Sequence, residues 1–132
     1  MATRDPVDRN MVRMELRRFQ TRCEAQEGAI RRADTLREVA RLTLIPVPFQ
    51  IMEETVALDA RAQLRRTAEE RARELVEDQL GQLVRAEPYL RDKIRRLIDD
   101  ELLNLAGPLA GMKPWAYMRV AAVEQTLTNE SP

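Results

Sequence analysis

LTLIPVPFQIM, residues 42–52, is the stretch on which the reading of this chain turns. Pro46 and Pro48 stand one residue apart, so two backbone donors are missing, and Ile45 and Val47, each preceding a proline, are held extended. A helix cannot pass through them. Seven large apolar side chains crowd the same stretch: Leu42, Leu44, Ile45, Val47, Phe49, Ile51 and Met52. The run is about half the roughly 20 residues that a membrane span needs, so it is no transmembrane segment. It divides two long helix-favouring sequences and reads as a Pro-containing apolar corner over residues 42–49. A corner alternates its side chains between inside and outside and cannot hide all seven within its own hairpin. Leu44, Ile45, Val47, Phe49 and Ile51 are therefore candidate partner-docking residues, with Phe49 the first among them.

On the N-terminal side, residues 8–41 read as one helix, with Asp8 placed to accept backbone N–H bonds as its N-cap. Val12, Leu16, Phe19, Cys23, Ile30 and Ala33 recur at 4-3-4 spacing, and Gln26 fills the one gap. That is the seam of a helix packed lengthwise against another. On the other side, residues 50–87 read as a second long helix with a seam of Ile51, Leu58, Ala62, Ala68, Ala72, Leu75, Val76, Leu80 and Leu83. Its central alanines let a neighbour approach closely. Glu87-Pro88 ends it, because a residue before proline avoids helical dihedrals. Residues 88–106 form a third helix that turns Leu90, Ile94, Leu97, Ile98, Leu102 and Leu105 inward and stops at Gly107-Pro108. Pro114 opens a fourth over residues 114–127, carrying Met118, Val120 and Trp115, which is either a core plug for this helix or a further docking anchor, since tryptophan is frequent among interface hot spots.

The expectation is a single all-α domain over residues 1–132, an elongated antiparallel hairpin of two long helices with two shorter C-terminal ones. Charge argues for the same pairing. Basic and acidic residues balance at 22 each, yet residues 1–49 hold ten basic and seven acidic residues while residues 50–87 hold six and nine. Arg9, Arg13 and Arg17 form a basic stripe, and Glu70, Glu74 and Glu77 an acidic one. An antiparallel hairpin would set these faces together.

The residue types narrow the chemistry. There is no histidine, and Cys23 is the only cysteine. That leaves no Cys/His nucleophile pair, no Glu-x-x-His di-metal motif and no paired-cysteine zinc site. With four glycines in all, the chain has no Walker loop and no Gly-x-Gly-x-x-Gly. Asp99-Asp100-Glu101 points in successive directions around a helix and reads as a solvated face rather than a calcium loop. The run LRDKIRRLIDDELLNL, residues 90–105, resembles the opening of helical chorismate mutases, with a one-residue insertion. The position at which that family would supply a substrate-binding arginine is Gly107-Pro108 here, so the likeness reads as amphipathic helix composition. No catalytic, metal or cofactor residue is assigned, and the chain reads as a non-enzyme.

The double arginines Arg17-Arg18, Arg31-Arg32, Arg65-Arg66 and Arg95-Arg96 mostly lie three or four residues from a carboxylate, the spacing of helix-surface ion pairs. Stacking aromatics are scarce, which disfavours nucleic acid. If nucleic acid were bound, the first helix would carry it. A lone cysteine requires no oxidising compartment, and the N-terminus has no apolar core of a secretory signal, so the expectation is intracellular. The reading is a structural or assembly subunit that contacts other protein subunits through helix packing and the apolar corner. The alternative is a stand-alone helical adaptor that holds a partner helix, at nucleic acid or through peripheral contact with a membrane surface.

Overall fold

The structure, a computed structural model, describes the backbone of residues 6–130 and the side chains of residues 9–130. Among them are five α-helices and no strand: α1 (Pro6–Arg31), α2 (Leu36–Thr43), α3 (Thr55–Arg85), α4 (Arg91–Leu102) and α5 (Lys113–Glu130). Three short 3-10 turns, Phe49–Ile51, Pro88–Leu90 and Gly107–Met112, join them. The chain is all-α.

The first long helix is broken where the sequence suggested continuity. Its seam keeps helical spacing into Leu36 and Val39, but the backbone turns at residues 32–35. Thr35 is extended and its Oγ1 accepts the Glu38 N–H at 3.1 Å, an N-cap with glutamate at the third helical position. Two distant helices fasten the break. Arg71 of α3 donates from Nε to the Ala33 carbonyl at 2.9 Å, and Glu101 of α4 accepts the Leu36 N–H at 2.5 Å. A cation thus meets the C-terminal end of α1 and an anion the N-terminal end of α2, each the favourable sign for the helix dipole. Beyond the break, α2 runs back along α1, and Gln26 donates to the Leu42 carbonyl at 3.1 Å.

This reversal changes the topology. Thr67 of α3 donates to Glu27 of α1, and Arg71 reaches Ala33. Gln20 and Cys23 share a groove with Val56, Asp59 and Ala60, whereas Arg31 sits among Thr67, Glu70 and Glu74. Residue numbers rise together, so α1 and α3 pack in parallel rather than as an antiparallel hairpin. The proline stretch makes that pairing geometrically feasible. Helix advances ~1.5 Å per residue, so the eight residues of α2 return the chain only about 12 Å. Extended backbone covers about twice as much per residue and completes the descent before α3 begins. The stretch is the lower half of a crossover, with α3 starting at Thr55 rather than near residue 50. The parallel sense also separates the charge stripes: Glu74 pairs with Arg71 and Glu77 with Arg119, not with Arg9, Arg13 or Arg17.

One core runs through all five helices. Phe19, Ile30, Leu36, Val39, Leu64, Val76, Leu80, Leu83, Ile98, Leu102, Leu105, Leu109 and Val120 are among its buried residues. Along α1 the seam closes progressively: Val12 and Leu16 are half-buried, and Phe19, Cys23 and Ile30 fully so. Asp8 lies within α1, which is described from Pro6 onward, rather than at its cap. In α3 the lower seam runs through Ala57 and Leu64, and Leu58 and Ala62 face solvent. That rotation follows from the late helix start and from cover by α1 and α2 together. In α4, Ile98 and Leu102 are buried while Leu97 is exposed, as is Leu90 in the 3-10 turn that precedes it. The helix ends at Leu102, not at residue 106, so a turn delivers Leu105 to the core. Gly107, with φ of 54°, then takes the left-handed conformation that other residues resist.

Candidate docking surface

Strand-like alternation governs the descending segment. Thr43 and Ile45 are buried, Val47 is half-buried, and Leu44 and Pro46 between them are exposed. After Pro48 the chain coils into its 3-10 turn and the phase shifts. The Ile51 N–H donates to the Pro48 carbonyl at 3.0 Å, Ile51 is fully buried, and Phe49 and Met52 project outward. Phe49 is 84% exposed, Leu44 67% and Met52 49%, values that separate them sharply from their buried neighbours. The five candidate docking residues of the corner therefore divide. Leu44 and Phe49 stand free, Val47 is half-covered, and Ile45 and Ile51 are core residues that anchor the segment and are closed to a partner.

Trp115 belongs to the fold. It is half-buried, packed against the core, and the Arg73 guanidinium lies 5.8 Å from its ring centroid. One helical turn on, Arg119 donates from Nε to Glu77 Oε1 at 2.6 Å and from Nη2 to Oε2 at 2.9 Å. These hydrogen bonds hold the Glu77 carboxyl below the ordinary glutamate range and raise Arg119. Arg95 joins α4 to α5 through Glu124 and also pairs with Asp99. Together they fasten α5 to α3 and α4, so Trp115 packs at a joint within the chain.

The sequence reading missed the surface of α3 beside the corner. Thr43, Leu44, Ile45 and Pro46 form one wall of a cleft of about 500 Å3, and Arg61, Arg65, Gly107 and Pro108 form the rest. A second groove continues along α3 past Leu58, Arg61, Ala62, Arg65, Arg66 and Glu69. The missed signal was the absence of a carboxylate three or four residues from Arg61, which marks a helix position without an ion-pair partner. Cys23 lies buried in the α1–α3 groove, where burial first and Glu27 second push its thiol up. Such a thiol is a poor nucleophile. Among the described residues, no group of three or more Cys, Asp and Glu side chains is placed to hold a metal ion. None of their helices is long and apolar enough to cross a membrane. Compared with protein-family models, curated proteins and solved structures, the chain finds no match.

Proposed function

We propose that this chain is a non-enzymatic assembly or structural component that holds a partner protein on the surface formed by the proline crossover. The observation that carries the reading is the contrast within three residues between Phe49, 84% exposed, and Ile51, fully buried. A large aromatic side chain held in water beside an anchored backbone forfeits a burial worth roughly 1.5–3 kcal/mol. A partner pocket recovers that free energy at little ordering cost, because the segment is already fixed. Leu44 and Met52 extend the same apolar display.

The continuous core supports a second reading alongside a permanent subunit: an adaptor that folds alone and then captures its partner. Mass and melting behaviour of the purified chain separate the two, since an obligate subunit is stable only with its partner present. In either case Phe49→Ser should abolish recovery of the native complex while leaving the helical circular dichroism of the chain unchanged. Recovery of the complex at wild-type yield from the variant would remove Phe49 as the anchor.

A further inference from the structure

The two grooves beside the crossover share Arg61 and Arg65, and these side chains are the basis of a more specific reading. Both are exposed, and neither makes an ion pair or side-chain hydrogen bond among the described residues. Arg18, Arg71, Arg95 and Arg119 all have carboxylate partners. Arg66, which lines the second groove with them, donates to the neutral Gln63 at 2.8 Å and has no carboxylate partner among the described residues either. Arg61 and Arg65 lie four apart on α3, so two like charges face each other on adjacent turns, an arrangement that weakens a helix. Carboxylates arriving from outside would turn that repulsion into attraction. Apolar side chains stand beside them in these open grooves: Leu44 and Pro46 on the crossover, Leu58 and Ala62 on α3. Glu69 also lines the groove, and a chain lying along it would meet three cations, Arg61, Arg65 and Arg66, and then an anion.

We infer that the channel from Leu44 and Pro46 across Arg61 and Arg65 to Glu69 receives an amphipathic helix of the partner protein, acidic where it crosses the two arginines. Charge complementarity and shape select this occupant. Leu44, Leu58 and Ala62 beside the arginines favour an amphipathic helix, which buries them, over a phosphate backbone, which does not. An acidic helix offers carboxylates at the same four-residue spacing and places its leucines against Leu58 and Leu44. A carboxylate can accept two parallel N–H bonds from each guanidinium. The inference rests on the docking reading above and names the partner's chemistry.

The test uses the full chain and a labelled 16-residue helical peptide of Leu, Ala and Glu, with glutamates four apart, followed by fluorescence anisotropy. A second peptide replaces each Glu by Gln, and a third replaces each by Lys. The Glu peptide should bind at least ten-fold more tightly than the Gln peptide, and rising salt should weaken it. Arg61→Glu with Arg65→Glu should erase that preference and shift it to the Lys peptide, with helicity unchanged. Equal binding of the Glu and Gln peptides overturns the inference. So does tighter arginine-dependent binding to phosphatidylserine vesicles or to a DNA duplex than to the Glu peptide. The wider docking reading is scored separately: if Phe49→Ser loses the native complex and the double charge reversal does not, docking stands and the acidic helix falls.

Discussion

Phe19 shows how much a single position settles. It sits in the seam of α1, is 1% exposed, and is among the largest side chains fully inside the core. Phe19→Ala removes its packing and leaves a cavity, so the folded state should lose about 3–5 kcal/mol in urea or guanidinium titration. A loss below about 1 kcal/mol, the range of surface substitutions, would show the seam to be open. Glu77 is a milder case with a sign that can be worked out. Arg119 lowers its pKa in the folded state, so the unfolded chain binds the proton more readily. Its contribution is present above the unfolded value of about 4.3 and fades as pH falls through the lower folded value. Both partners are two-fifths exposed, and solvent screening keeps the effect small. Glu77→Gln should therefore be slightly less stable at neutral pH and lose less on acidification. Urea midpoints at neutral pH and near pH 3 measure it, and identical acid sensitivity in both proteins would count against the pair.

At the scale of elements, the break between α1 and α2 is the decisive feature. Asp34-Thr35-Leu36-Arg37-Glu38 contains a threonine with glutamate three residues later, the signature of a helix start, but the apolar spacing continues through it. Periodicity alone therefore favours one helix, and the cap inside the run is easily passed over. The cap works together with contacts from elsewhere, since Glu101 and Arg71 complete the hydrogen bonding of the two helix ends. Thr35→Ala should cost ~0.5–2 kcal/mol and speed amide exchange at Glu38 before it does so in the middle of α3. Protection at Glu38 unchanged from wild type would assign the break to the distant contacts alone. The ends of α3 and α4 were easier to see, because Pro88 and Gly107 act locally. Even so, α4 stops short of its glycine so that a turn can bring Leu105 inward.

For the whole molecule, the parallel packing of α1 and α3 makes a direct prediction. Gln20 and Asp59 line one groove, so cysteines placed at both, in a Cys23→Ala background, should be joined by a short bifunctional maleimide. Cysteines at Gln20 and Glu74 should not be, although an antiparallel hairpin would bring that pair together. Efficient linkage of the second pair and none of the first would restore the hairpin. The same topology accounts for the free surface. Because the crossover must descend beside α1 and α3 in extended form, it cannot satisfy all its apolar side chains on one face, and Leu44 and Phe49 are left outside.

Composition and spacing were enough to establish an all-α chain, the seam of α1 through Phe19, Cys23 and Ile30, and a helix-breaking apolar segment at Pro46 and Pro48. These are local properties, set by propensity, by the 3.6-residue period and by the missing proline donors. The tertiary structure alone decided the direction in which α3 returns, the burial of Ile45 and Ile51 beside the exposed Phe49, and the cleft that the crossover builds beside Arg61 and Arg65. Each of those depends on which distant element arrives at a given face, and helical periodicity carries no information about the sense of packing. A seam that fits an antiparallel neighbour fits a parallel one as well. Here Arg71, Glu101 and the reach of an extended crossover chose between them.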